Sequence, residues 1–144
     1  MLQEIWLPFS EKKFIDELLP EYHFRISTPD MHHHEEDLMM KQSHVWHGVA
    51  IGWRHGLDAK LTQIDSTSDR IVGLKLTSKG KSILLISAYA PTSGHDDEYL
   101  EFTSNLSLYI EENSDPPDYV LIGADSNCSP KSSPRRREAW ANLL

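Results

Sequence analysis

The chain has 144 residues, of which 39% are hydrophobic and 25% charged, and its formal net charge is −8. These values are ordinary for a globular protein, and the length fits one domain with a substantial core. The negative charge argues against a surface that coats nucleic acid broadly, although it allows a local basic patch or a metal site rich in carboxylates.

The first third of the chain predicts a strand, a short helix and a second strand. Residues 2–7 form an apolar run typical of a strand, and Ser10 is suited to cap a helix that Pro20 ends. Residues 21–27 alternate between polar and apolar side chains, as a half-buried strand does. The polar residues 28–44 follow and predict a long loop.

The middle of the chain contains four strand-like segments. They are residues 48–54, 60–67, 70–77 and 82–89. Turn-forming pairs separate them at His55-Gly56, Ser68-Asp69 and Lys79-Gly80. Strands joined by short turns commonly pair in sequence order, so this pattern predicts an antiparallel meander of four strands.

The last third predicts a helix, a strand and a second helix. Residues 96–112 are amphipathic, and residues 119–123 form an apolar strand that we expect to be buried. Ser133 followed by Pro134 predicts the start of a final helix that continues to the end of the chain. Because that helix has no C-cap and the chain opens within a strand, we expect an incomplete domain. In the helix over residues 96–112, the inward-facing residues are expected to be Leu100, Leu106 and Ile110.

Polar side chains lie in or directly after three of the predicted strands. Glu4 interrupts the first apolar strand, Tyr89 ends the fourth segment of the meander, and Asp125 and Asn127 follow the last strand. Ligands bind at the carboxyl ends of strands in α/β sheets, and two residues two apart on one side of a strand offer two oxygen ligands to one small volume. We therefore predict that these side chains meet in one acidic site.

Each of these residues also has a structural interpretation. Glu4 taken alone is more commonly a solvated carboxylate at a strand edge. Asp125 and Asn127 are residue types that cap the turns after strands. Tyr89 is of a type that more often packs as a core aromatic.

Four motifs in order carry a resemblance. They are Leu2-Gln3-Glu4, His47-Gly48-Val49-Ala50-Ile51, Ile86-Ser87-Ala88-Tyr89-Ala90-Pro91-Thr92 and Ile122-Gly123-Ala124-Asp125-Ser126-Asn127. With them the chain resembles the endonuclease/exonuclease/phosphatase superfamily, in particular the endonuclease domain at the amino end of non-LTR retrotransposon polyproteins. The resemblance implies an α/β sandwich of mixed sheets flanked by helices.

The resemblance implies one partial domain over residues 1–144, with residues 28–44 as a polar loop. The family's early strand ending in Asn and its Ser-Asp-His segment are not found in this sequence, and Ser126 stands where the family has Phe. The expected domain is thus truncated at both ends, and its catalysis is expected to be impaired.

The resemblance also implies a reaction, which is Mg²⁺-dependent hydrolysis of a DNA phosphodiester, with Mn²⁺ as an alternative metal. Glu4 would be a metal ligand, and Asp125 would orient or deprotonate the attacking water or bind the metal. Asn127 would hydrogen-bond the phosphate without repelling it, and Tyr89 would donate its phenol to a phosphate oxygen. Two alternatives stay open: an inactive remnant that at most binds metal or nucleic acid, and a phosphatase of small phosphoesters.

Further features have both a functional and a plainer interpretation. Three consecutive histidines lie in the polar loop; they are His32, His33 and His34. They could bind a transition metal, but adjacent loop residues more often form a solvated segment. Three arginines lie in the first turn of the last predicted helix; they are Arg135, Arg136 and Arg137. Positive charge is unfavourable at that end of the helix dipole, so these side chains could contact a phosphate or carboxylate. Alternatively, they form a solvated basic turn.

The sequence makes further predictions about location and partners. Cys128 is the single cysteine, which excludes an internal disulfide and favours a reducing compartment. The first residues lack a basic secretory segment, and no apolar run approaches the roughly 20 residues that span a bilayer. We predict an intracellular protein, nuclear or cytoplasmic, with DNA as its partner and neither a membrane nor an obligate protein partner.

Overall fold

The computed structural model describes residues 1–3, 12–28, 48–66, 68–92, 94–115 and 119–143. The strands within these ranges are β1 (Leu2–Gln3), β2 (Tyr22–Ser27), β3 (Val49–Arg54), β4 (Lys60–Ile64), β5 (Ile71–Ser78), β6 (Lys81–Tyr89) and β7 (Tyr119–Asp125). The helices are α1 (Lys12–Leu18), α2 (Asp96–Asn113) and α3 (Pro134–Ala141). No helix among the described residues is long and apolar enough to cross a membrane.

The strands form two sheets. One has the order β1-β3-β2 and is antiparallel; the other has the order β4-β5-β6-β7. In the second sheet β4, β5 and β6 form an antiparallel meander, and β7 joins β6 in parallel. Lys79 and Gly80 form the tight turn between β5 and β6, and their φ angles are 50° and 74°. Positive φ at both central residues is what a two-residue hairpin loop of type I′ requires.

The predicted four-strand meander is wrong in its first strand. β3 pairs with β2 along its whole length, from Tyr22↔Arg54 to Ser27↔Val49, and does not belong to the sheet of β4. The turn at His55-Gly56 is present, but the chain leaves it for the other sheet. A turn signal in a sequence specifies a change of direction, and it does not specify which strands then share hydrogen bonds.

Apolar side chains fill the space between the sheets and beneath the helices. The cluster between the sheets contains Val49, Ile51, Val72, Leu74 and Tyr89. Burying each such side chain contributes about 1.5–3 kcal/mol. On the outer face of the three-stranded sheet, α1 adds its buried residue to a second cluster; its members are Ile15, Phe24, Ile26 and Ala50. α2 and α3 pack on the outer face of the other sheet. The α/β sandwich of mixed sheets flanked by helices is confirmed.

The inward face of α2 is aromatic rather than aliphatic. Leu106 is fully buried as predicted, but Leu100 and Ile110 are half-buried. The other buried apolar positions are Tyr99, Phe102 and Tyr109. Together with Leu106 they follow alternating steps of three and four residues, which is the spacing of one helix face.

β7 differs from the buried strand that its composition predicts. Tyr119, Val120 and Leu121 are 62%, 38% and 53% exposed. Among the described strands β7 pairs only with β6, so it has an edge position, and its first half is not covered by either described sheet or helix.

α3 begins as predicted and ends earlier. The Ser133 hydroxyl accepts a hydrogen bond from the Arg136 amide at 3.3 Å, and Pro134 occupies the first turn. The prediction that this helix has no C-cap is wrong. It ends at Ala141, and the amide of the capping residue Asn142 donates to the Glu138 carbonyl at 3.0 Å.

Several predictions concern residues outside the described ranges. These are Glu4 and the rest of the first strand, the cap at Ser10, residues 29–44 with their three histidines, and His47. They stay predictions.

Candidate active site

Tyr89 and Asp125 lie side by side at the end of the parallel strands β6 and β7. They are Cα partners at the last register position of this pair, and the Ala90 amide donates to the Asp125 carbonyl at 3.0 Å just beyond it. Paired positions on neighbouring strands are about 4.8 Å apart and direct their side chains to the same face. The phenol and the carboxylate therefore share one face of the sheet.

β1 covers this face two residues before the strand ends. The Gln3 side-chain amide donates to the Ser87 hydroxyl at 3.2 Å and to the Gly123 carbonyl at 3.0 Å, while the Ser87 hydroxyl donates to the Leu2 carbonyl at 3.1 Å. A Cβ on Gly123 would lie 2.7 Å from the Met1 sulfur, so glycine allows this close approach. The strand that precedes Glu4 is thus anchored on β6 and β7 beside the candidate site.

The turn after β7 is closed by the side chains of Asp125 and Asn127. Asp125 Oδ1 accepts the Asn127 amide at 3.0 Å, and Asn127 Nδ2 donates to the Ala90 carbonyl at 2.7 Å. Asn127 has φ 45°, a left-handed conformation that Asn adopts more readily than most residues. The turn-capping interpretation of both residues is therefore observed in the hydrogen bonds.

This turn corrects one detail of the sequence interpretation. Asp125 ends β7 and Asn127 lies beyond it in a left-handed turn, so strand alternation does not place the two side chains on the same side. They are close because Asp125 caps the amide of Asn127. The Ala90 carbonyl fixes the amide orientation of Asn127, which leaves its Oδ1 and its second N–H for other partners.

The ring of Tyr89 packs between the sheets and is only 5% exposed. Its backbone amide donates to the Arg70 carbonyl at 3.0 Å, and the Arg70 guanidinium carbon lies 5.7 Å from the centroid of the Tyr89 ring. The packed-aromatic interpretation of Tyr89 thus holds for its ring. Arg70 is a cation beside the site that sequence reasoning did not identify, because nothing in its local pattern marks it.

The three consecutive arginines have different environments. Arg135 and Arg137 are exposed, whereas Arg136 is buried, so the solvated-turn interpretation is wrong for Arg136. Its Nε donates to Asp96 Oδ1 at 2.7 Å. Hydrogen bonds from Ser133 and Arg136 lower the pKa of the Asp96 carboxyl. Positive charge at the start of a helix is unfavourable, and this indicated from the sequence that Arg136 has a negatively charged partner. That partner is the Asp96 carboxylate.

Cys128 follows Asn127 and packs, half-buried, against the cluster beneath α2 and α3. Its amide donates to the Ser126 hydroxyl at 3.3 Å. Burial, with a smaller effect from Cys128, raises the pKa of the Tyr99 hydroxyl. Cys128 has a packing role in this arrangement.

The described residues provide part of a divalent-cation site. No group of three His, Cys, Asp or Glu side chains is close enough to hold a metal in the part of the chain that the structure describes. The available oxygens are the exposed carboxylate of Asp125 and the side-chain oxygen of Asn127. Mg²⁺ prefers oxygen ligands and retains several waters, so one or two carboxylates suffice to hold it. This donor set fits Mg²⁺ if a second carboxylate joins Asp125.

Comparison with known proteins gives structural matches alone, since no protein-family model and no curated protein sequence matches the chain. An AP endonuclease from Archaeoglobus fulgidus superimposes with a TM-score of 0.64 and 19% identity, covering 99% of this chain and 57% of that one. The endonuclease domain of TRAS1, a telomere-specific non-LTR retrotransposon, gives 0.56 and 17%, covering 85% and 51%. D. rerio TDP2 complexed with a single-strand DNA product gives 0.59 and 15%, covering 99% and 50%.

These similarities show that the chain has the endonuclease/exonuclease/phosphatase-type fold. The chain spans about half the length of the solved structures that it matches. The identities are all below 20%, so the comparison establishes the fold and leaves the chemistry to the residues at the strand ends.

Proposed function

We propose that this chain carries the site of a metal-dependent phosphodiesterase that hydrolyses DNA, with Mg²⁺ as the metal and Mn²⁺ as the alternative. The observation that carries the proposal is the side-by-side placement of Tyr89 and Asp125 on the sheet face that β1 covers. The TRAS1 endonuclease and the TDP2 structure with a DNA product share the fold, and they support DNA as the substrate class.

In this proposal each residue has one task. Asp125 binds the metal or orients and deprotonates the attacking water, and Glu4 supplies a second carboxylate ligand. Asn127 donates its second N–H to the phosphate, and Tyr89 donates its phenol to a phosphate oxygen. When bound, the metal offsets the charge that develops on the phosphate during in-line attack.

Glu4 enters the proposal through its neighbour. Gln3 bonds to Ser87 and Gly123, which precede Tyr89 and Asp125 by two residues. The proposal places the Glu4 carboxylate in the same site because Glu4 directly follows Gln3 in the sequence. This supports a shared site for the two carboxylates.

We also propose that residues 1–144 all belong to one domain, with residues 28–44 as a polar loop. β2 and β3 flank this segment and pair along their full length, which favours an insertion within one sheet over a linker between domains. An intracellular location, nuclear or cytoplasmic, belongs to the same proposal because the substrate is DNA.

A plasmid-nicking assay tests the proposal. The chain is incubated with supercoiled plasmid and Mg²⁺ or Mn²⁺, and relaxed circles are quantified over time on a gel. Because the family's early Asn and its Ser-Asp-His segment are not found in this sequence, we expect impaired, slow nicking. A chelator should abolish it, and Glu4→Gln or Asp125→Asn should each lower it further by about 100-fold, the size typical of losing one group that stabilises a transition state. The matched control is Asp97→Asn, whose carboxylate on α2 is 95% exposed.

The other outcomes each select a different conclusion. Nicking that persists at full rate in Asp125→Asn rejects this site. Absence of nicking with either metal favours a non-catalytic remnant, whether or not calorimetry detects Mg²⁺ binding. Hydrolysis of p-nitrophenyl phosphate without nicking favours a phosphatase of small phosphoesters.

A further inference from the structure

The side chain of Arg136 is buried, with 2% of it exposed. Nε donates to Asp96 Oδ1 at 2.7 Å and Nη1 to the Pro91 carbonyl at 3.3 Å. Nη2 donates to the carbonyls of Thr92 and His95 at 2.6 and 3.1 Å. Arginine is almost never fully buried unless it is paired, and here one carboxylate and three carbonyls satisfy it.

The three carbonyl acceptors belong to one segment, the turn that leads from Tyr89 at the end of β6 into α2. A planar guanidinium donates in fixed directions, so it holds several acceptors in one arrangement, which a single ammonium group cannot do. The guanidinium carbon of Arg136 lies 4.4 Å from the centroid of the Tyr99 ring, and this ring limits the movement of the guanidinium. The turn after Tyr89 is therefore bonded to α3 through one side chain.

The same two segments are joined a second time at the strand ends. Asn127, in the turn that precedes α3, donates to the carbonyl of Ala90, the first residue after β6. Arg136 and Asn127 thus connect the β6–α2 turn and the β7–α3 segment at two separate points. Rotation or separation of the two turns would have to break both connections.

The exposed arginines on either side do not share this arrangement. Arg137 donates to the Pro130 carbonyl at 3.0 Å within its own segment. Arg135 lies 3.7 Å from Asp97, and both side chains are largely exposed. Arg135 and Arg137 are therefore suitable controls, because they carry the same charge as Arg136 but do not bond to the β6–α2 turn.

We propose that Arg136 is a positioning residue of the candidate site: by clamping the turn after Tyr89 onto α3, it fixes Asn127 and Asp125 relative to Tyr89. The clamp follows from the contacts themselves, whereas its effect on catalysis rests on the proposed function. Arg136 acts through the backbone of Pro91, Thr92 and His95 and is not assigned a contact with substrate.

The test compares Arg136→Lys with the matched control Arg135→Lys. Lysine keeps the charge but lacks the fork that reaches four acceptors. Amide hydrogen exchange by NMR reports local opening at Ala90 and Asn127, and the buried β6 amides of Leu84 and Ile86 report global opening. Cys128, the single cysteine of the chain, gives a second local readout through its rate of reaction with a thiol reagent.

We expect Arg136→Lys to accelerate exchange at Ala90 and Asn127, and labelling of Cys128, by about 10-fold while exchange of the core amides is unchanged. In the nicking assay kcat should fall about 10- to 100-fold with little change in KM, because misplaced groups weaken the transition state more than substrate binding. Arg135→Lys should leave all of these unchanged.

Two results overturn the proposal. One is unchanged exchange at Ala90 and Asn127 in Arg136→Lys; the other is equal acceleration of local and core amides, which would indicate only a general role in stability. If Arg136→Lys does not fold, Asp96→Asn removes one charged acceptor, and the same exchange comparison decides. If the unmodified chain does not nick DNA, the proposed function fails, while exchange and thiol labelling still decide whether the clamp exists.

Discussion

The side-chain amide of Asn127 donates a 2.7 Å hydrogen bond to the carbonyl of Ala90, and this bond joins the ends of β6 and β7. It depends on the left-handed backbone of Asn127, at φ 45°. A residue that serves both needs is difficult to replace, since glycine supplies only the conformation and alanine supplies neither. This relationship gives the first prediction.

Asn127→Ala should lower the free energy of unfolding by about 2–3 kcal/mol, from a lost hydrogen bond of about 1 kcal/mol and left-handed strain of about 1–2 kcal/mol. Asn127→Gly should lose only about the hydrogen-bond part, because glycine adopts positive φ freely. Urea unfolding monitored by tryptophan fluorescence measures both values. An Asn127→Gly variant less stable than Asn127→Ala would contradict this account.

A second prediction concerns Gly73 and Tyr109. A Cβ on Gly73 would overlap the Tyr109 hydroxyl, which donates to the Ile64 carbonyl at 3.2 Å. Gly73→Ala should therefore destabilise the chain by about 1–3 kcal/mol, as overpacking does. In the Tyr109→Phe background the same substitution should cost less, because the nearest atom is gone.

The measurement for this pair is a double-mutant cycle by urea unfolding. The expected coupling energy is about 1 kcal/mol in the sense that Tyr109→Phe relieves Gly73→Ala. Gly80→Ala serves as the contrast, since a Cβ there meets no atom within 4 Å and its cost comes from φ 74° alone. Additive effects of Gly73→Ala and Tyr109→Phe would show that the two positions do not interact.

Local sequence signals predicted most of the elements but not their pairing. The periodicity of residues 96–112, the alternation of residues 21–27 and the Ser133-Pro134 start all correspond to observed elements. These signals act within a few residues, so they can be evaluated without knowing the fold. The placement of β3 beside β2, and the exposed start of β7, depend on contacts between distant segments that no local pattern specifies.

The candidate site divides in the same way. Strand ends with polar residues identified Tyr89, Asp125 and Asn127, and the parallel pairing of β6 with β7 brings them together. Arg70, beside Tyr89, was not identified from the sequence. For Arg136 the sequence indicated a phosphate or carboxylate partner but not which one. Arg70 directly precedes β5 and Arg136 lies on α3, so their roles arise from tertiary contacts.

A third prediction is a pH dependence that Asp96 causes. Hydrogen bonds from Ser133 and Arg136 lower the pKa of Asp96 in the folded chain below the ordinary value of 3.8. As the pH falls, the unfolded chain therefore takes up this proton first, and the stabilisation that is full above pH 3.8 is lost below it.

Asp96→Asn should thus be less stable than the unmodified chain at pH 7, and the difference should narrow between pH 4 and pH 2. Urea unfolding at a series of pH values measures this difference. Asp97→Asn is the matched control: its carboxylate is 95% exposed and 3.7 Å from Arg135, and pairs of this kind contribute little. A difference for Asp96→Asn that stays constant down to pH 2 would exclude the assigned role.

A fourth prediction concerns alkaline pH. Burial raises the pKa of Tyr109 to about 12 from its ordinary value of 10.0. Because the unfolded chain loses this proton first, stability that is full below pH 10 should be lost progressively as the pH rises towards 12.

Tyr109→Phe should reduce this alkaline loss, although it also removes the hydrogen bond to Ile64 and lowers stability at pH 7 by about 1 kcal/mol. Unfolding curves between pH 8 and pH 11, with tyrosinate absorbance at 295 nm, measure both effects. The control is Tyr119→Phe, at a side chain that is 62% exposed. An alkaline loss of the same size in Tyr109→Phe as in the unmodified chain would rule out this source.

The last prediction concerns the uncovered start of β7. Tyr119 and Leu121 are exposed on a strand that pairs, among the described strands, only with β6. An apolar edge strand with free backbone groups promotes association between chains, and a charge on it opposes that association. Leu121→Lys should therefore reduce concentration-dependent self-association, measured by light scattering after size-exclusion chromatography.

Leu108→Lys is the matched control, because Leu108 is equally exposed, at 51%, but lies on α2, where the helix satisfies its own backbone. Equal effects of the two substitutions would mean that surface hydrophobicity alone, and not the strand edge, drives the association.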